Sequence, residues 1–302
     1  MHACQVTMSV VKLLTRIVAP TCEIDDYASE KTISNNNDVK RLKTDIASKM
    51  HDHTYGITSD PLTQFAVVLS ALMHDVDHTG VPNPQLVKEN PELAATYKGQ
   101  SVAEQNSVDL SWDLLMRPCY SDLRNVIAST KAEWERFRQL TVNSVMATDI
   151  ADKELKKLRN DRWDKAFGEC PEEKDTDYSV NRKATIVIEH LIQASDVSHT
   201  MQHWHVFLKW NKRLFLEMYT AYKDGRAEKD PSEFWYKGEI GFFDFYIIPL
   251  AKKLKDCGVF GVSSDEYLNY AMKNRDEWQL KGEFVVAEYI SEVCDRWEMR
   301  KF

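Results

Sequence analysis

Four ionisable side chains fall within five residues at His74-Asp75-Val76-Asp77-His78, directly after the apolar stretch 65–73. His74 and His78 stand four apart and Asp75 and His78 three apart, so on a helix several ligand-type groups share one face. An unpaired carboxylate at the end of a buried helix is prohibitively unfavourable, and a divalent cation is the usual remedy. A mixed His and Asp site without thiolate suits zinc, manganese, iron or magnesium better than a structural zinc knot, and positions left open for water make it catalytic. The competing reading is a solvated helix end with unrelated histidines, and the apolar residues before it weigh against that reading.

Three further residues have suitable chemistry but weaker placement. Asp196 follows the apolar stripe Ile186, Val187, Ile188, Leu191 and Ile192, where a single acid is more often a helix cap than a ligand. Glu104 stands three residues after Ser101, the spacing of a capping box. His2 lies at the start of the stripe Val6, Val10, Leu13, Leu14 and Ile17. Spacing alone does not bring these distant residues together.

The elements that must position them are helices. Helical periodicity covers 2–17, roughly 39–50, 61–73, 101–117, 121–150, 181–223, 232–255 and 264–298, and no stretch alternates with period two long enough for a strand. Residues 65–73 are apolar almost all round, which predicts a buried central helix delivering His74 and Asp75 at its end. The polar stretch 21–60, with Asn35-Asn36-Asn37, reads as a surface insertion, and 168–177 and 224–231 read as loops. The expected fold is all-α, a compact multi-helix bundle over 302 residues read as one domain.

A net charge of −8 without a Lys/Arg cluster argues against nucleic acid or an anionic membrane as partner, so a small anionic substrate needs a local metal or basic group. Six cysteines lie far apart without a C-x-x-C pair and read as reduced thiols of a cytoplasmic protein. No apolar run approaches the roughly 20 residues that span a bilayer.

The order His2-Ala3, His74-Asp75-Val76-Asp77-His78-x-Gly80, Ser101-Val102-Ala103-Glu104, Asp196-Val197-Ser198 and Glu239-Ile240-Gly241-Phe242-Phe243-Asp244 resembles the class I cyclic-nucleotide phosphodiesterases. Each short motif is weak, but five in the right order over nearly the whole chain are specific. The resemblance implies hydrolysis of a cyclic purine nucleotide, cAMP or cGMP, to the 5′-monophosphate in cyclic-nucleotide signalling. It implies two divalent metal ions, zinc and magnesium (or manganese), with His2, His74, Asp75 and Asp196 on the first and Asp75 bridging to the second. Glu104 and Asp149 then hold metal waters, and His78 orients the attacking oxygen. Two cations sharing one oxygen lower its pKa and clamp the phosphate. Leu214 and Phe242 sandwich the purine, with Glu239 and His199 also facing the substrate, and Trp210 reads as structural support. Regulatory domains in a longer protein are a further expectation.

Departures from the family pattern qualify this. The purine-reading Gln is Glu239, the Asn after D-[LV]-S is His199, and S-V-x-E-N-H-H has become Ser101-Val102-Ala103-Glu104-Gln105-Asn106-Ser107. A carboxylate only accepts hydrogen bonds, so on either purine Glu239 meets one gain and one repulsion unless burial raises its pKa and restores a donor. The opening H-N-x-x-H pattern places its first His, the leaving-group acid, before Met1, so the expectation is a truncated domain lacking its first helices and catalysing poorly. Two readings compete: another His-Asp metal phosphohydrolase, which lacks the 239–244 motif, and a degenerate regulatory module that binds metal and nucleotide without turnover. Retention of all four candidate ligands favours chemistry.

Overall fold

The computed structural model describes residues 1–17, 36–168 and 177–299, and the described residues contain helices and no strand. In order these are α1 (His2–Thr15), α2 (Asn36–His53), α3 (Pro61–Met73), α4 (Asn83–Glu89), α5 (Pro91–Thr96), α6 (Val102–Leu115), α7 (Ser121–Ile127), α8 (Lys131–Met146), α9 (Lys153–Phe167), α10 (Asp177–Asp196), α11 (Trp204–Lys223), α12 (Trp235–Phe242), α13 (Ile248–Asp256) and α14 (Gly261–Met299). The first half of the expected insertion at 21–60 lies outside the described residues; its second half is α2 and a short turn at Ile57–Ser59.

The most enclosed helix is α10. Ile186, Val187, Leu191 and Ile192 are at most 1% exposed, because α1, α3, α9 and α13 pack around it. On α1 the residues at 3.6-residue spacing, Val6, Val10 and Leu13, are fully buried and meet α3 and α10. α3 starts where expected: Pro61 occupies the first turn, where its missing N–H costs nothing, and the Asp60 carboxylate accepts the Thr63 N–H at 3.2 Å.

The reading of 65–73 as apolar and buried all round is corrected. Phe65 is 42% and Leu72 53% exposed, while Ala66, Val67, Ser70 and Ala71 are buried. The small residues let neighbouring helices approach closely on one face, so the larger side chains are left on the other. Two single helices expected from periodicity are each two. Residues 121–150 break at Ala128 because Thr130 and Glu133 cap a new start reciprocally, and 181–223 break at Asp196, with a 3₁₀ turn at Ser198–Met201 before α11. Helices α4, α5 and α9 were not anticipated: α4 and α5 are short and proline-initiated, and α9 is so charged that its apolar stripe is narrow.

Between α12 and α13 the chain makes a π-turn at Phe243–Ile247, in which the Ile248 N–H bonds the Phe243 carbonyl five residues back. Pro249 explains the adjustment, since it has no N–H to continue the ordinary ladder. α12 lies against α14 at Gly282, where an added Cβ would stand 2.8 Å from Tyr236 and from Trp278.

Candidate metal-binding active site

Four segments deliver His2, His74, Asp75 and Asp196 to one point: the start of α1, the end of α3, the turn after it, and the last residue of α10. His2 Nε2 donates to Asp196 Oδ1 at 2.8 Å, and lies 3.7 Å from Asp75 Oδ2. His74 Nε2 stands 3.3 Å from Asp75 Oδ2 and 3.3 Å from Asp196 Oδ1. Ligand atoms of His2, His74 and Asp75 all lie within 4.8 Å of one another.

The chemistry of this donor set fits a cation. His74 Nδ1 donates to the Ala71 carbonyl at 3.0 Å, which leaves Nε2 of the neutral ring with a lone pair; that atom is buried and has no hydrogen-bond partner. Burial opposes charging His74, but the Asp196 and Asp75 carboxylates, each 3.3 Å from Nε2, outweigh it and push the ring up to about 10. Burial likewise opposes ionisation of Asp196, yet His2 and His74 hold its carboxyl well below the usual carboxylate range. Asp75 is lowered in the same way, chiefly through His74 against its own desolvation. A partly buried site with this much demand for positive charge takes a proton or a metal ion.

The shared helical face expected for His74 to His78 is not formed. α3 ends at Met73, and Asp77 turns the chain with a left-handed φ of 63°, a conformation that Asp tolerates better than most residues. His78 is therefore carried on an exposed loop beside the cluster, where its Nδ1 accepts the Gly80 N–H at 3.2 Å.

Ser101 forms no capping box. Its backbone is left-handed and its hydroxyl donates instead to Asp149 Oδ2 at 2.6 Å. Glu104 is bound by Asn83, whose amide donates to Glu104 Oε2 at 2.9 Å and reaches Asp149 Oδ2 at 3.5 Å, while its carbonyl oxygen accepts the Ala103 N–H. Burial and the neighbouring Asp149 charge raise the Glu104 carboxyl despite that bond. Asp149, 4% exposed, also accepts the N–H groups of Ala151 and Asp152, and the Arg159 guanidinium donates to its carbonyl at 2.7 Å. Asn83 and Arg159 were missed from sequence because their partners are distant in the chain; the Pro82-Asn83-Pro84 turn was the one local signal.

The cluster opens into a cleft of about 980 Å³ whose walls include His78, Glu104, His199, Trp210, Leu214 and Phe242. Leu214 is 44% exposed there. His199 is half-buried, and desolvation, then the nearby His2, pushes its ring down to about 4. Glu239 is not among the cleft-lining residues. It lies one turn before Phe242, 8% exposed, and burial pushes its carboxyl up to about 8 although the Asn211 amide beside it partly offsets this.

Among the described residues no helix is long and apolar enough to cross a membrane. The description of the 3′5′-cyclic nucleotide phosphodiesterases matches residues 1–259. The chain is 24% identical over 203 residues to a dual specificity calcium/calmodulin-dependent 3′,5′-cyclic nucleotide phosphodiesterase 1C of Mus musculus, covering 64% of this chain and 26% of the relative. It is 25% identical over 256 residues to a probable 3′,5′-cyclic-AMP phosphodiesterase, pde-4, of Caenorhabditis elegans, covering 78% of this chain and 36% of the relative. It thus spans between about a quarter and two fifths of the curated relatives it matches. In fold it is similar to the phosphodiesterase domain of Salpingoeca rosetta rhodopsin phosphodiesterase, with a TM-score of 0.60 at 22% identity over 85% of this chain and 77% of that one. The chain therefore belongs to the 3′5′-cyclic nucleotide phosphodiesterase family.

Proposed function

We propose that this chain is a catalytic domain that hydrolyses a 3′,5′-cyclic purine nucleotide to its 5′-monophosphate, within cyclic-nucleotide signalling. The observation that carries the reading is the buried, unpartnered Nε2 of His74 aimed among His2, Asp75 and Asp196 in a chain of this family. These four residues would hold a divalent ion, zinc by the family resemblance, with Asp75 shared with a second ion, magnesium or manganese. Bound there, the metals supply Lewis acidity that lowers the pKa of water and screens the phosphate charge.

The protein's own residues do the positioning. His78 Nδ1 accepts from Gly80, so the neutral ring keeps its proton on Nε2, where it orients the attacking water. Glu104, held by Asn83, orders water on the adjacent wall, with Asp149 supporting it from behind. Leu214 and Phe242 flank the base, and His199, neutral because its ring is desolvated, supplies a polar edge without charge. Glu239, one turn before Phe242 on the same helix, tunes the base pocket, and with its carboxyl near 8 it is a proton donor at neutral pH, as the amide it replaces would be.

The test is release of 5′-monophosphate from cAMP and cGMP with manganese or magnesium supplied, beside Asp196→Ala and with bound metal measured on the same samples. Turnover lost together with metal supports the assignment. A metal-replete chain that turns over neither nucleotide sinks the catalytic reading and leaves a binding module.

A further inference from the structure

A second recess, of about 360 Å³, lies on the other side of the π-turn from the candidate base pocket, between α9, α10 and α13. That volume is within the range of small-ligand sites. Three features of its lining are unexplained by the packing. Tyr246 contributes to the wall, and its buried hydroxyl has no hydrogen-bond partner among the described residues. An unsatisfied buried polar group is costly unless something else meets it. Phe245, 79% exposed, stands at the rim with its ring uncovered.

The third feature is charge. Lys156, Arg159 and Lys253 line the recess against the one acid Asp164. Arg159 is committed to the carbonyls of Ala147 and Asp149, but its charge remains. Lys253 lies over the Trp163 ring, with its ammonium 2.7 Å from Asn160 Oδ1 and its pKa lowered by burial. His190 adds no charge, since desolvation pushes it down to about 4 and its Nδ1 is bound to the Ile186 carbonyl.

We propose that this recess is an effector site for a small aromatic carboxylate, held by the Lys253 ammonium and the Tyr246 hydroxyl with its ring against Phe245. Occupancy reports to the cleft through the Tyr246 ring, which stacks on Phe242 with centroids 5.3 Å apart and planes inclined by 16°; Ile150 lines both spaces. The site itself stands without the nucleotide reading; its effect on turnover rests on that reading.

Benzoate is the probe, and neutral benzamide its isosteric control, titrated calorimetrically into the chain first alone and then with a phosphorothioate cyclic nucleotide added. Benzoate should bind and benzamide should not. Lys253→Met and the near-isosteric Tyr246→Phe should each weaken benzoate about tenfold, the size of one charge-assisted hydrogen bond, whereas Lys252→Met on the same helix should not. Displacement of benzoate by the phosphorothioate, or equal weakening by Lys252→Met, overturns the site. In turnover assays, benzoate at a concentration that just saturates the parent should shift its KM for cyclic nucleotide at least about twofold, and should shift that of Tyr246→Phe less, because the variant is less occupied at that concentration. An unchanged parental KM overturns the coupling.

Discussion

His74 Nε2 and Asp196 Oδ1 lie 3.3 Å apart at the carboxyl ends of two packed helices, α3 and α10. Each helix brings the negative end of its dipole to the same point, which adds to the demand for positive charge already set by the carboxylates. The fold thus concentrates negative potential at this point partly through its backbone.

Removing Asp196 should therefore cost more than one ligand. Asp196→Asn keeps the shape but removes the charge that His2 and His74 both face. Elemental analysis should show the tighter-bound metal lost, with affinity down by more than the 10- to 100-fold typical of an outer partner of a metal ligand. Full metal content in this variant would remove Asp196 from the ligand set.

Glu239 makes stability fall as pH rises. Its carboxyl goes from an ordinary 4.5 to about 8 on folding, so the folded state holds a proton that the unfolded chain has released. The stabilisation is complete below the ordinary value and drains away as pH climbs toward 8, at up to about 1.4 kcal/mol per pH unit. Glu239→Gln has no proton to lose. Melting curves of the two proteins should lie closest near pH 5 and diverge by pH 8, the variant being the more stable; parallel pH profiles would show that the carboxyl is not desolvated.

Phe242 should matter for binding more than for chemistry. Truncating it to Ala removes a ring that lines the cleft and stacks on Tyr246, a loss of about 1.5–3 kcal/mol, or roughly 10- to 100-fold in KM, with kcat changed far less. A fall confined to kcat would place the ring away from the base.

Asn83 should act on the metal waters without touching the nucleotide. Asn83→Asp puts a third carboxylate between Glu104 and Asp149, raising their pKa values, and Asn83→Ala frees Glu104. Both variants should lower kcat about 10- to 100-fold and increase the magnesium requirement while KM stays within about twofold. If KM alone moves, Asn83 belongs to the substrate wall.

The all-helical class was legible because apolar spacing at 3.6 residues is a local property, as in Val6, Val10 and Leu13. So was the candidate metal-binding pair His74 and Asp75, whose ligand types are adjacent. Convergence of His2 and Asp196 depends on α1 and α10 packing together, which spacing does not encode; the family order supplied it. The errors were conformational. Periodicity assumed a helix through Asp77 where the backbone turns left-handed, and the Ser101 to Glu104 spacing left a capping box open as one reading, whereas the Ser101 hydroxyl donates to Asp149. Glu239 was expected in the base pocket; it is buried, and the cleft lining includes Phe242 from the same helix but not Glu239.

The π-turn after Phe242 contains one more residue than a straight helix would. Deleting one residue from Phe243–Ile247 would therefore let the chain run on as an ordinary α-helix with α12 and α13 keeping nearly their present faces, whereas adding one in the regular helix beyond it would turn everything before the addition by about 100° relative to everything after it. The longer chain would pull Phe242 away from the cleft it lines, or Leu250, Ala251 and Leu254 away from the core. Changes of length should therefore be tolerated here in one direction only: the shorter segment is a straight helix, the longer one a helix out of register.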